Sequence, residues 1–321
     1  MGQAVVPHVA GFRILRRLGE GASAAVYHAI QEDSEREVAL KVFEPMEEPD
    51  AVDPADIERE RGLAAALRHR NLARIHAMGE YGERRWLATE YLPGGTLAER
   101  IAARMRPADV LQVVRDLAQG LGHAHAQGIV HGDVKPANVL FRNAGEAVLV
   151  DFGSAAFAGK GSARLQGGTP GYMSPEQAAG EPVDGRSDLY GLGVVLHEML
   201  TGRLPRPPDE PGAELRRPAP VPPLPVRHRW LQPLLDALLA ERPEDRPADA
   251  RALLHLLSSL CAASPEAQAL LPIAAEEVAR ARVHGRHESV RERQRRRRRW
   301  ILLAATALAL VLVGVLLDRL L

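Results

Sequence analysis

The chain has 321 residues, 46% of them hydrophobic, and a formal net charge of zero. That length can bury one large core or two modest ones, and the balanced charge supplies no global field for nucleic acid. A single cysteine, Cys261, excludes an internal disulfide framework and fits a reducing compartment, while twelve histidines without a glutamate-accompanied i, i+4 pair argue against a zinc site.

Met1 to Ala10 lacks the charged start and apolar run of an export signal. Gly2 opens an acylation-like pattern, but Val6 stands where that pattern wants Ser or Thr. Phe12 to Leu18 alternates apolar and basic residues, the period of a half-buried strand. It runs into Gly19-Glu20-Gly21-Ala22-Ser23-Ala24-Ala25-Val26, a small-residue turn between two strands. Glycines let backbone N–H groups approach phosphates closely, yet taken alone this turn is equally a hairpin with room to bend. Glu37 to Phe43 reads as a strand, and Val38-Ala39-Leu40-Lys41 sets a lysine among apolar neighbours. Facing solvent it needs nothing; on a buried face it needs an anion.

After an acidic, proline-punctuated loop, Pro54 to Leu67 turns helical, with Asp56 in the first turn. On it Glu60 either pairs with Lys41 or joins the solvated face of Glu58, Arg59 and Arg61. Ile75 and Trp86 to Tyr91 supply two more strands before Pro93-Gly94-Gly95 breaks the chain, and Thr96 with Glu99 forms a capping box for the next helix. The shift from strand-rich to helix-rich sequence here fits a hinge between two lobes. Pro107 to Gln127 is a long helix with Val110, Val113, Val114, Leu117 and Leu121 on one stripe. His123 and His125 near its end fit packing or capping better than metal ligation.

His131-Gly132-Asp133-Val134-Lys135-Pro136-Ala137-Asn138 then places Asp133, Lys135 and Asn138 in a tethered loop before the short strand from Val139 to Phe141. Phosphoryl transfer asks a protein mainly for positioning and charge stabilisation. Asp133 can accept the proton of an incoming hydroxyl, Lys135 can sit against the transferred phosphoryl, and Asn138 can hold a metal ion. Ala147 to Val150 is a buried strand ending in Asp151-Phe152-Gly153, where a carboxylate is placed to ligate Mg²⁺. Ser154 to Gly168 is small, polar and Gly-rich, and Gly168-Thr169-Pro170-Gly171-Tyr172-Met173-Ser174-Pro175-Glu176 closes that segment. Ser187-Asp188-Leu189 opens an apolar helix to Leu200. Recurrent prolines exclude helix from Leu204 to Pro225. Leu231 to Leu239 and Asp249 to Leu260 are amphipathic helices joined by a loop containing Arg246.

From about Phe12 to Leu260 these motifs, in this order, resemble a bacterial eukaryotic-like (Hanks-type) serine/threonine protein kinase. The resemblance implies an α+β, bilobal protein-kinase fold over 12–261. Its parts are a β-rich N-lobe with one helix at 12–90, a hinge at 91–95 and a helical C-lobe at 96–261. Lys41 is implied to grip the α/β-phosphates and pair with Glu60. Leu18, Gly19, Glu20, Gly21, Ala22, Ser23, Ala24 and Val26 are implied to cover the nucleotide, with Ala39 also in the ATP site. Glu90 to Leu92 is the implied hinge backbone reading adenine, and Thr89 guards the deeper pocket. Asp133 is the implied catalytic base, with Asn138 and Asp151 holding Mg²⁺, or Mn²⁺ in its place. Lys135 and Thr169 look like the serine/threonine rather than the tyrosine version. Glu176 is implied to pair with Arg246, and Asp188 to brace the catalytic loop.

Three departures stand out. Gly132 replaces the arginine that in the family binds a phosphorylated activation-loop residue, so a constitutively competent loop is expected, with Ser154, Ser162 and Thr169 its only hydroxyls. The Pro-rich region from Leu204 stands where the family docks partners. Arg70 replaces a common proline in His69-Arg70-Asn71, with little expected consequence.

Ser264 to Val283 is alanine-rich and reads as a helical spacer within a 262–299 linker. Arginines crowd from Arg286 to Arg299, a run that alone fits a nucleic-acid patch or a solvated tail. Trp300 to Leu317 follows, an uncharged apolar stretch of roughly 18 residues, long enough for a transmembrane helix. The arginines then stay cytoplasmic and Trp300 sits at the interface. Beyond 318–321 no external domain is expected, and residues 1–11 read as an N-terminal extension. The expected protein is therefore a single-pass, tail-anchored enzyme of a bacterial inner membrane, acting on Ser/Thr of protein substrates. Its expected partners include a cognate protein phosphatase and the membrane, but no nucleic acid; dimerisation stays open, since the lone Gly314 gives no G-x-x-x-G interface. Two other readings share features: small-molecule kinases resembling aminoglycoside phosphotransferases, through His-Gly-Asp followed by Asn, and a pseudokinase scaffold.

Overall fold

A computed structural model describes residues 8–21, 24–44, 67–81, 84–142, 145–152, 156–157, 168–205 and 221–268. Five antiparallel strands open the chain: β1 (Phe12–Glu20), β2 (Ala24–Gln31), β3 (Arg36–Phe43), β4 (Ile75–Tyr81) and β5 (Arg84–Glu90), in the order β1-β2-β3-β5-β4. On β3 the alternation is strict. Val38, Leu40 and Val42 are buried against Phe12, Tyr27, Ala29 and Ala88, which puts Ala39 and Lys41 on the opposite face. Val9 joins this core, so the expected N-terminal extension is partly packed.

β1 departs from the expected alternation. Leu15 and Leu18 are exposed, because register shifts between Ile14 and Arg16 and between Arg17 and Gly19 rotate successive side chains out of phase. The second lobe comprises α1 (Leu97–Ala102), α2 (Pro107–Ala126), β6 (Ile129–Val130), β7 (Val139–Arg142), β8 (Glu146–Leu149), β9 (Ala156–Phe157), α3 (Pro175–Ala178), α4 (Gly185–Thr201), α5 (Gln232–Leu238) and α6 (Ala250–Ala263). The Thr96/Glu99 capping box is formed, with Glu99 N–H on Thr96 Oγ1 and Thr96 N–H on Glu99 Oε2. The predicted α2 stripe is wholly buried.

α4 runs through the middle of this lobe and is buried nearly all round, from Ser187 to His197. At Gly191 a side chain would meet Val134 Cβ at 3.1 Å, so the glycine lets α4 lie directly against the loop carrying Asp133. The helix expected from Leu231 begins one residue later. A 3₁₀ turn, Val226–Leu231, precedes it, and Pro233 sits in its first turn, where a missing N–H costs nothing. Packing continues past α6: Ala267 belongs to the large core, so the first residues of the expected spacer pack on the lobe.

No helix among the described residues is long and apolar enough to cross a membrane. The expected helix from Pro54 with Glu60 lies outside the described residues, apart from buried Leu67. So do Ala22, Ser23, Gly153, Ser154, Ser162, the Pro-rich interior 206–220, the arginine run and the apolar stretch 300–317.

Candidate active site

Lys41 comes from the cleft-facing side of β3, opposite Val26 on β2 and Leu87 on β5. Its Nζ lies 2.7 Å from Asp151 Oδ1, a contact between residues 110 apart in sequence. Asp151 follows β8 with φ +65°, a left-handed conformation that costs a non-glycine residue about 1–2 kcal/mol. Ties on either side hold it there. Val150 N–H donates to Asn138 O at 2.9 Å, and the His131 ring Nε2 lies 3.0 Å from Val150 O. The Phe152 ring packs edge-on against His131.

The loop from His131 to Asn138 hangs on α4. Asp188, 2% exposed in the first turn of that helix, accepts the N–H of His131 at 2.9 Å and of Gly132 at 2.8 Å. His125 Nε2 lies 2.7 Å from the same carboxylate and reaches it from the end of α2. Burial opposes ionisation of Asp188, but these donors outweigh it and hold its carboxyl below the ordinary range. His125 is thus the hydrogen-bond partner of a buried carboxylate rather than the packing or capping residue expected, whereas His123 stacks on His69.

Asp133 is ringed by donors. Thr169 gives Oδ1 its N–H at 3.0 Å and its hydroxyl at 2.8 Å. Lys135 Nζ lies 2.6 Å from Oδ2, and Asn138 Nδ2 donates to Oδ2 at 3.0 Å. Lys135 also donates to Thr169 Oγ1 at 2.6 Å, closing a three-residue ring. Here too burial works against the charge, and the bonds from Lys135 and Thr169 overcome it, so the carboxyl stays below the ordinary range. Asn138 gives a second bond to Asp133 O at 2.9 Å, which leaves its side-chain oxygen as the remaining acceptor.

At the mouth, Gly19 pairs with Val26 and Gly21 N–H donates to Ala24 O at 2.8 Å. Leu18 and Glu20 are exposed, and Ala24 is buried. Ala39 lies opposite Thr89, whose hydroxyl donates to Ala39 O at 3.4 Å. Glu90 ends β5, its N–H given to Arg74 O, and Leu92 packs with Ala73 and Val148. Away from the cleft, Arg246 holds Glu176 through Nη1–Oε1 at 2.6 Å and Nη2–Oε2 at 2.8 Å, and Ser187 Oγ donates to Glu176 Oε1 at 2.6 Å.

Reading the sequence did not single out three of the connections made here. Arg142 pairs with Glu90, His125 with Asp188, and Gln177 donates to Gly132 O. Only Gln177 left a trace, as the fourth residue of a Ser-x-x-Gln capping box beginning at Ser174.

Lys41 thus meets Asp151 across the two lobes, and Asp133, Lys135, Asn138 and Thr169 form one hydrogen-bonded cluster, tied to the strand before Asp151 by the Val150–Asn138 backbone bond. The protein kinase domain family matches residues 12–257. The chain belongs to the protein kinase family. Its relatives are bacterial Hanks-type serine/threonine kinases. Serine/threonine-protein kinase PknJ of Mycobacterium tuberculosis is 38% identical over 204 residues, covering 61% of this chain and 35% of the relative. Pkn1 of Myxococcus xanthus is 36% identical over 263 residues, covering 77% and 38%. The Mycobacterium tuberculosis PknI kinase domain superposes with a TM-score of 0.62 at 28% identity, over 81% of this chain and 100% of that one. The chain thus spans little more than a third of the length of these curated relatives.

Proposed function

We propose that the chain is an ATP- and Mg²⁺-dependent serine/threonine protein kinase, held at a bacterial inner membrane by its C-terminal segment with the catalytic lobes in the cytoplasm. One observation carries the catalytic reading: the 2.7 Å approach of Lys41 to Asp151 brings the first lobe's cation to the second lobe's carboxylate. The donor set fits the metal. Asp151 offers a carboxylate and Asn138 an amide oxygen, the hard oxygen ligands Mg²⁺ takes. Bound there, Mg²⁺ supplies neutralisation of charge on the phosphates of ATP.

Asp133, ionised at neutral pH, accepts the proton of a substrate Ser or Thr hydroxyl. Lys135 neutralises charge beside it, and Thr169 fixes the rotamer of Asp133 through two hydrogen bonds. Lys41 orients the α/β-phosphates, and the backbone of Glu90 to Leu92 receives adenine. The cleft also serves autophosphorylation. With Gly132 in the loop, the enzyme works without a phosphate on its activation segment; near-complete loss of activity after phosphatase treatment would refute this.

Labelled ATP with a generic basic protein substrate tests the reading. Label on Ser or Thr, absent with Asp133→Ala, supports it; ATP binding without transfer points to a scaffold, and label on small molecules alone to a small-molecule kinase. The membrane reading rests on the arginine run ahead of Trp300 to Leu317. Release of the full-length chain from membranes by high salt without detergent would overturn it.

A further inference from the structure

The peptide unit joining Gly132 to Asp133 is held at both edges. Its N–H donates to His131 Nδ1 at 3.2 Å, and its carbonyl, Gly132 O, accepts from Gln177 Nε2 at 2.9 Å. Just before it, Gly132 N–H is held by Asp188. Gly132 has φ +78°, where a residue with a Cβ is strained. Glycine is also the residue with most freedom to leave that conformation, so the direction of this carbonyl depends on an external partner.

Gln177 is built to be that partner. Its Oε1 accepts the N–H and the hydroxyl of Ser174, both at 3.1 Å, which fixes which end of the amide faces Gly132. Ser174 is fully buried, so the donor cannot swing away without breaking the N-terminal cap of α3. The segment 169–177 therefore reaches Asp133 twice: Thr169 on its carboxylate and Gln177 on the peptide before it. No charge takes part in the second contact.

We infer that Gln177 is a positioning residue, a neutral tie that sets the backbone of the catalytic aspartate and removes the need for a phosphorylated tether between this segment and the loop. The inference rests on Asp133 acting as the base. Given that role, losing the Gln177 bond leaves this peptide plane held at its N–H edge alone, so it can tilt and carry Asp133 away from the hydroxyl.

Three variants separate the tie from the cap. Gln177→Glu keeps the acceptors for Ser174, and glutamate is itself a capping-box residue, but it turns an oxygen toward Gly132 O. Gln177→Met keeps the volume and removes both functions. Ser174→Ala weakens the cap and leaves the donor. Gln177→Glu and Gln177→Met are expected to lower kcat by about tenfold or more, the effect of one lost hydrogen bond in the transition state. KM for ATP is expected to stay within about twofold, because Gln177 does not touch the nucleotide side of the cleft. Ser174→Ala is expected to lower the melting temperature more than kcat. Wild-type kcat in Gln177→Glu with loss only in Gln177→Met and Ser174→Ala would make the residue a helix cap and overturn the inference. If Gln177→Glu does not fold, wild-type kcat in Gln177→Met overturns it equally. Wild-type transfer in Asp133→Ala would instead remove the catalytic reading, a separate result.

Discussion

Arg142 holds Glu90 through two parallel hydrogen bonds, Nε to Oε1 at 2.7 Å and Nη2 to Oε2 at 2.8 Å. Glu90 ends the strand that leads into the hinge, and Arg142 ends a strand of the other lobe, so the fork spans the two lobes beside the cleft. Arg142 Nη1 also reaches Arg70 O and Glu146 Oε2. The two side chains are 27% and 24% exposed, which places the pair above a solvated surface bridge in strength. Arg142→Met is expected to cost about 1–3 kcal/mol of stability and to raise KM for ATP more than it lowers kcat. Denaturant unfolding and steady-state kinetics check both. A double-mutant cycle with Glu90→Gln should be non-additive; additive losses would mean the fork does no coupling.

The ring of Asp133, Lys135 and Thr169 sets a pH dependence. The carboxyl is held below its ordinary range, because hydrogen bonds from Lys135 and Thr169 and the Lys135 charge outweigh burial. A rate that needs Asp133 ionised therefore rises with pH through that depressed value and is level by neutral pH. Lys135→Met removes the largest part of what offsets burial and leaves the Thr169 and Asn138 bonds, so the acid limb of kcat should move to higher pH, with a loss at neutral pH of about 10²–10³-fold. An acid limb that stays in place would show that Lys135 does not govern the ionisation of Asp133.

Glu176 and Arg246 answer to stability rather than rate. The Arg246 side chain is fully buried and that of Glu176 is 5% exposed. Burial opposes the Glu176 charge, and the bonds from Arg246 and Ser187 more than offset it, so its carboxyl lies below the ordinary 4.5. A depressed folded value means that this contribution is present above the unfolded carboxyl's pKa and lost as pH falls through the folded one. Arg246→Ala strands a buried carboxylate and should cost about 3–5 kcal/mol. Changing both residues to apolar ones of similar volume should cost less than that single change. Chemical denaturation between neutral and acid pH measures each effect.

What the sequence revealed was mostly local. The Thr96/Glu99 box, the α2 stripe and the alternation in β3 depend on neighbours a few positions apart, and each appears as read. The β1 alternation failed because bulges come from strand pairing, which no period within the strand encodes. The start of α5 shifted for a local reason, since Pro233 is easiest to place in a first turn. Motif order brought Lys41, Asp133, Asn138 and Asp151 to one cleft in prospect. The Glu90–Arg142 fork and the Gln177–Gly132 tie were hidden because each joins residues more than forty positions apart with ordinary surface chemistry.

Lys41 and Asp151 are taken to converge on one triphosphate, and single-turnover phosphoryl transfer with Lys41→Met, Asp151→Asn and the double variant tests that convergence. Residues acting as one unit lose nearly everything with the first change. Each single variant should drop transfer by about 10²–10³-fold or more, and the double should be little worse than either. Wild-type transfer in either single variant, or losses that multiply fully in the double, would contradict a shared site.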